Sequence, residues 1–176
     1  PTAEWQERGI GKRGRSFALA LCHLSSEARP MPPIAKVSVA VLAGGPGRRI
    51  GGDKAEILLA GERLVDRAVR RLGWLSDDLW VVLREDQRLE VVGARLTRDV
   101  LPEAGALAGM AAALQAVRHE WAFICACDMP FVQRPLVERL LAEIRADACD
   151  LVAPRLAVGL EPLHAFYHRR CLPAIL

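Results

Sequence analysis

At 176 residues, with 52% hydrophobic side chains and a formal net charge of +3, the chain suits one α/β domain with a full core and is too short for two ordinary ones. That charge is too weak to argue for nucleic acid, no basic stripe is interleaved with aromatics, and no apolar stretch approaches the length of a membrane span. Five cysteines (Cys22, Cys125, Cys127, Cys149 and Cys171), an odd number without C-x-x-C spacing, read as reduced thiols of a cytoplasmic protein rather than a disulfide framework or zinc site.

Residues 1–35 differ from the rest. Lys12, Arg13 and Arg15 precede a short apolar run over 17–24, and the segment ends in Pro30-Met31-Pro32-Pro33. His23 interrupts the run, no clean small-x-small cleavage site follows it, and Leu21 stands where a lipoprotein signal would need a small residue before Cys22. The segment therefore reads as a disordered or artefactual extension, with Met31 as the natural start. Pro1 at one end, and a final Cys171–Leu176 that stops inside a starting helix, make the chain read as a fragment or as one with an incorrectly chosen start.

From Val37 onward strand and helix patterns alternate. Residues 37–43 read as a buried strand and 62–74 as a helix, with Leu64, Val65, Ala68, Val69 and Leu72 at helical spacing. Strands follow at 79–83 and 96–101, a Gly/Ala-rich helix at 106–117 and a buried strand at 121–126. An amphipathic helix over 135–146 and a strand over 150–154 complete the pattern. Such alternation predicts a mostly parallel sheet with helices on both faces, a three-layer αβα fold whose ligands sit outside the C-terminal strand ends. Loops 44–54, 99–107 and 127–130 all follow strands and so gather at one edge.

The first of these loops is the richest. Residues 42–54 run Leu-Ala-Gly-Gly-Pro-Gly-Arg-Arg-Ile-Gly-Gly-Asp-Lys, four glycines within eight positions plus Arg48, Arg49 and Lys54. A strand opening into such a loop holds polyphosphate, because amide dipoles and cations converge on one anion. The glycine spacing is one residue too long for a dinucleotide fingerprint. Arg48 and Arg49 are adjacent, so one faces phosphate and the other water, while Asp53 is expected to pair with an arginine. Asp128 ends a buried strand; six residues separate it from the next helix, for whose start Gln133 is nearer. A carboxylate facing a phosphate loop suits Mg²⁺, which takes one or two carboxylates plus phosphate oxygens. Asp99 could fix a ribose or base, assist a metal, or cap the turn before Pro102. Cys125 and Cys127 read as small core residues, and His164 as a structural histidine in an apolar strand.

These residues resemble the signature of molybdenum cofactor guanylyltransferases: Leu42-Ala43-Gly44-Gly45, Arg49-Ile50-Gly51, then Asp53-Lys54, with Ile50 where the family usually has methionine. Leu59-x-Gly61-x-x-Leu64, Gly105 to Met110, Asp128-Met129-Pro130-Phe131 and Glu161-Pro162-Leu163-His164-Ala165-x-Tyr167 follow in order, so that the likeness covers about residues 36–176. It implies a Rossmann-like nucleotidyltransferase domain over 36–176, C-terminally incomplete, that joins GMP from GTP to the terminal phosphate of molybdopterin or molybdenum-molybdopterin and releases pyrophosphate. It further implies that Leu42, Ala43, Gly44, Gly45 and Lys54 bind GTP, that Asp99 contacts the nucleotide, and that Asp128 holds Mg²⁺. Arg49, Lys54 and Asp128 would carry the charge of the reaction, and cofactor-delivery proteins would be further partners. Three departures stand out: Ala106 replaces a usual proline, the asparagine usual after the second strand is missing from 82–85, and the late asparagine-containing region is absent. A cytidylyltransferase of the same cofactor, or a catalytically silent nucleotide-binding module, are the competing readings.

Overall fold

The computed structural model describes residues 19–22, 36–45, 53–99, 105–144, 149–157 and 159–176. In chain order these form β1 (Leu19–Cys22), β2 (Val37–Leu42), a 3₁₀ turn (Lys54–Glu56), β3 (Leu58–Leu59), β4 (Glu62–Arg63), α1 (Leu64–Leu72), β5 (Leu79–Arg84) and β6 (Arg95–Asp99). Then come α2 (Ala106–Ala116), β7 (Trp121–Ala126), α3 (Arg134–Ala142), β8 (Leu151–Leu156), β9 (Gly159–Leu160), β10 (His164–His168), a 3₁₀ turn (Arg169–Cys171) and α4 (Leu172–Ile175). Arg48, Arg49 and Ile50 of the expected phosphate loop lie outside the described residues.

The main sheet runs β1-β8-β10-β7-β2-β5-β6, with β9 attached to β8. β7, β2, β5 and β6 are mutually parallel, and β10 enters antiparallel between β7 and β8. β2 and β7 are covered on both faces, which is why each is a near-continuous apolar run rather than an alternating one. Val37, Val39, Val41, Phe123 and Phe166 pack with Val65, Val69 and Leu72 of α1 and Leu140 and Leu141 of α3. On the other face Ala40, Val82, Ala122 and Ile124 pack with Met110, Ala113 and Leu114 of α2, flanked by Leu172 and Ile175 of α4. The result is the expected three-layer αβα arrangement with a mostly parallel sheet.

Several ends depart from expectation, α3 closing at Ala142 instead of continuing toward 146, and two differences bear on the sheet. Glu62 and Arg63 pair with Leu58 and Leu59 in a small hairpin instead of opening the helix, and its turn needs Gly61 at φ 81°. α1 therefore starts at Leu64. Within 1–35, Leu19–Cys22 pairs in parallel with Leu151–Pro154 and adds an edge strand, so this part of the expected extension contributes to the sheet; the rest of 1–35 lies outside the described residues.

The N-terminal edge of the parallel strands is fastened by one buried carboxylate. Asp78, fully buried, accepts hydrogen bonds from Ser38 Oγ (2.6 Å), the Arg118 amide (2.8 Å), Arg95 Nη1 (3.0 Å) and Trp80 Nε1 (3.1 Å). Ser38 Oγ in turn accepts from the His119 amide at 3.1 Å, so the start of β2 and the residues just before β5 and β7 meet at one point. Burial works against the Asp78 charge, but the bonds from Ser38, the Arg118 amide and Trp80 outweigh it and hold its carboxyl below the usual carboxylate range. A depressed folded pKa contributes stability that is present above the unfolded value of about 3.9 and is lost as pH falls through the folded one. Asp78→Asn should cost about 2–4 kcal/mol at neutral pH. It should also flatten the acid limb of the stability curve, as read by chemical denaturation from about pH 6 to about pH 3.

His164 is the second buried titratable group of note. Its ring meets Phe123 edge-on at 5.0 Å, and its Nε2 is buried without a hydrogen-bond partner among the described residues. Burial pushes its pKa below the usual histidine value, against a smaller opposing pull from Glu161. The neutral ring is thus the folded form, and stability falls as pH drops below the unfolded value of about 6.5. His164→Phe removes the orphaned nitrogen; its melting temperature should match or exceed wild type at about pH 7.5, with the gap widening toward about pH 5.

Candidate nucleotide-binding site

After β2 the chain moves outward to β5 and β6, then returns through α2 to place β7 on the opposite side of β2. The gap between the C-terminal ends of β2 and β7 is therefore the sheet's topological switch point, where ligands of open α/β sheets bind. The β2–β7 pairing runs level from Val37↔Trp121 to Leu42↔Ala126, and the Cys127 amide adds one more bond to Leu42 O at 3.0 Å. Two residues past Ala126, in a turn closed by Met129 N to Ala126 O at 3.2 Å, stands Asp128.

Lys54 arrives from the other side. It opens the 3₁₀ turn packed beside α1, which is anchored by Leu64 N to Ile57 O at 2.9 Å. Its ammonium donates to Asp128 Oδ2 at 2.6 Å, with the two side chains 36% and 38% exposed. Two expected site residues 74 positions apart are thus brought into direct contact. The loop after Asp128 is held to α1 by Arg67 Nε on Pro130 O (3.2 Å) and Arg71 Nη1 on Val132 O (3.0 Å). α1 therefore supports both halves of the pair. Gln133 is the residue before α3, as expected, which leaves Asp128 free of a capping duty.

The floor between them is Leu42 to Gly45. Leu42 is half-buried and reaches toward Gly109 of α2, and Ala43 is fully buried, its amide bonded to Val82 O at 2.8 Å. A Cβ on Gly44 would lie 3.0 Å from the Arg84 backbone nitrogen, so the close approach of β2's end to β5's end favours glycine there. Gly45 is exposed, and among the described residues the Lys54 stem lies near its missing Cβ. Asp53 pairs with an arginine, as expected, and that arginine is Arg84 (2.9 Å).

Asp99 stands apart. It ends β6, opposite Arg84 of β5, three strands from β7 in the order β7-β2-β5-β6. At about 4.8 Å per strand that is on the order of 14 Å, too far for Asp99 and Asp128 to share one ion. Its metal-assisting option is thereby closed, while a contact with the far end of a nucleotide laid along the strand ends stays open. Asp128, a half-exposed hard-oxygen donor at the switch point, has the chemistry Mg²⁺ uses when it binds with phosphate oxygens and water.

Among the described residues, the thiols of Cys125 and Cys127 beside Asp128 are held in the protonated form. Cys127 adjoins Asp128, yet burial, then the neighbouring carboxylate, pushes its thiol up to about 12. Cys125 is fully buried and also shifted upward by burial. Tyr167 donates to Pro162 O at 2.9 Å inside the second core layer. Sequence reasoning missed Arg84; its only local signal is a charge at the end of an apolar strand.

The chain's likeness to known proteins follows the same outline. The model of the MobA-like NTP transferase domain matches residues 39–176. A molybdenum cofactor guanylyltransferase of Desulfosudis oleivorans is 38% identical over 138 residues, covering 77% of this chain and 67% of that protein. A protein of the same name from Pseudomonas putida is 34% identical, covering 82% of this chain and 75% of its own. Among solved structures, molybdopterin-guanine dinucleotide biosynthesis protein A of Archaeoglobus fulgidus superposes with a TM-score of 0.65 at 31% identity, covering 78% of this chain and 70% of that one. With a family match that begins in β2 and takes in Lys54, Asp99 and Asp128 alike, this chain belongs to the MobA-like NTP transferase domain family.

Proposed function

We propose that this chain transfers the guanylyl group of GTP to the terminal phosphate of molybdopterin, with or without its molybdenum, and releases pyrophosphate. The observation that carries the reading is the Lys54–Asp128 pair at the β2–β7 switch point. A pair so exposed contributes only about 0–1 kcal/mol to stability, so both groups can turn to a charged ligand at little cost to the fold. The names of the relatives supply the nucleotide and the acceptor.

In this reading Gly44, Gly45 and Lys54 receive the triphosphate, and Leu42 and Ala43 form the strand end beneath it. An oxygen of the acceptor's terminal phosphate attacks the α-phosphorus of GTP. The bond from that phosphorus to the α–β bridging oxygen breaks, and the electron pair leaves with pyrophosphate. No protein nucleophile takes part; alignment and charge neutralisation do the work. Lys54, as a fixed ammonium, balances the charge that gathers on the phosphates. Arg49 is assigned the same duty from the sequence. Asp128, with phosphate oxygens, would hold Mg²⁺, which supplies Lewis-acid polarisation and further charge balance when bound. Asp99 is assigned the ribose or base end of the nucleotide.

Incubated with molybdopterin, Mg²⁺ and GTP, the protein should release pyrophosphate, and at least about tenfold less with CTP, the discrimination expected of polar base contacts. Pyrophosphate from neither nucleotide, despite tight GTP binding, leaves a binding module instead; faster release from CTP makes it a cytidylyltransferase. Asp128→Ala and Lys54→Met should each lower turnover by about 10²–10³-fold. Neither should move the melting temperature by more than a surface ion pair allows, about 1 kcal/mol of stability. Turnover that survives Asp128→Ala removes the metal assignment.

A further inference from the structure

β5 ends in a turn whose Arg84 and Gln87 side chains reach over to the glycine-rich segment beside it. Arg84 Nη1 donates both to Gly44 O (3.2 Å) and to Asp53 Oδ1 (2.9 Å), linking the two flanks of positions 45–52. Its Nε donates to Asp86 Oδ1 at 3.0 Å within the turn. Gln87, only 3% exposed, donates Nε2 to Ala43 O (3.3 Å) and accepts from the Arg84 amide (3.2 Å). Two consecutive carbonyls after β2, those of Ala43 and Gly44, are therefore held by this one turn. The turn itself is gathered by Arg98 of β6, whose Nη1 donates to the carbonyls of Gln87 (2.7 Å), Arg84 (2.9 Å) and Glu85 (3.1 Å).

We propose that Arg84, held by Arg98, is a positioning residue for the nucleotide loop: it clasps Gly44 to Asp53 and so fixes the frame in which Gly45 and Lys54 meet phosphate. Lys54 directly follows Asp53, and Gly45 directly follows Gly44, so a shift at either clasped end passes to a ligand-facing residue one position away. An arginine suits this duty because Nη1 serves Gly44 O and Asp53 while Nε of the same rigid plane stays on Asp86; a lysine, with a single donor nitrogen, cannot keep the Asp86 anchor as well. Arg84 and Asp53 are 28% and 25% exposed, which limits what the pair adds to global stability and leaves local geometry as its main effect. What the loop binds rests on the guanylyl-transfer reading; the clasp does not.

Hydrogen–deuterium exchange on the nucleotide-free protein tests it. Arg84→Met and Asp53→Ala should each speed exchange in peptides spanning 43–56 by about tenfold, the loss of about 1.4 kcal/mol of local protection, while β7 and α3 keep wild-type rates. The double variant should be no faster than Arg84→Met alone, because Asp53→Ala removes one strand of the clasp that Arg84→Met already removes. Arg98→Met should speed exchange in 84–87 as well as in 43–45, and Arg84→Lys should restore part of the protection lost in Arg84→Met. Unchanged exchange in 43–56, an even rise across the whole sheet, or additive effects in the double variant would each overturn the proposal. In turnover, the KM for GTP should rise about tenfold in Arg84→Met while kcat stays within about threefold, as expected for lost ground-state positioning. A wild-type protein that binds no GTP would count against the guanylyl-transfer reading, and the exchange result would still decide the clasp.

Discussion

β2 is hydrogen-bonded in parallel on both edges, to β7 from Val37↔Trp121 through Leu42↔Ala126 and to β5 from Val39↔Leu79 through Leu42↔Val82. Parallel pairing in level register brings the C-terminal ends of three strands to one line, and everything that follows them starts from that line. The glycine-rich segment leaves β2, the Arg84 turn leaves β5, and Asp128 leaves β7. Because the chain goes to β5 first and to β7 last, the gap beside β2 is also the point where the topology changes direction. A one-residue slip of β7 would turn Asp128 away from Lys54 and expose Phe123 and Cys125 to the wrong face. The apolar burial of β2 and β7 thus fixes the site's geometry as firmly as any polar contact within it.

The two edges of the sheet use polar groups in opposite ways. At the N-terminal edge Asp78 is fully buried and accepts from Ser38, Trp80, Arg95 and the Arg118 amide. A saturated network of that kind contributes several kcal/mol and resists rearrangement. At the C-terminal edge Lys54–Asp128 and Arg84–Asp53 are partly exposed and individually worth little. Lys54 and Asp128, held loosely enough to exchange each other for a ligand, are what a site for charged ligands requires, while Arg84–Asp53 holds the backbone around them. Stability and ligand chemistry are in this way divided between the two ends of the same strands.

Much of this was legible in the residue pattern. β7 runs over Trp121–Ala126, and the expected starts of β2, β5 and α2 coincide with the observed ones, because long apolar runs leave few alternatives. The nearness of Lys54 to Asp128 followed from the strand-helix alternation together with the family likeness. Other features depend on partners distant in sequence and left little local trace. Nothing in residues 19–22 indicates that they pair with Leu151–Pro154, and nothing in 164–168 indicates that β10 runs against its neighbours. Asp53 was expected to meet an arginine, but which one was set by the β5 turn folding back onto Gly44. Asp99 is open in sequence between a ribose or base contact, metal assistance and a turn cap, and the strand order places its strand three positions from that of Asp128.

The central claim is that Lys54 and Asp128 together form the centre that receives triphosphate and its cation. A crystal structure with Mn²⁺ and a non-hydrolysable GTP analogue tests it most directly, since anomalous scattering locates the ion independently of the nucleotide. The account predicts an anomalous peak at coordination distance, about 2.1 Å, from an Asp128 carboxylate oxygen, with Lys54 Nζ on a phosphate oxygen and the phosphates over Gly44 and Gly45. Phosphates bound away from those glycines, or a metal peak remote from Asp128 with the Lys54–Asp128 pair still closed, would contradict it.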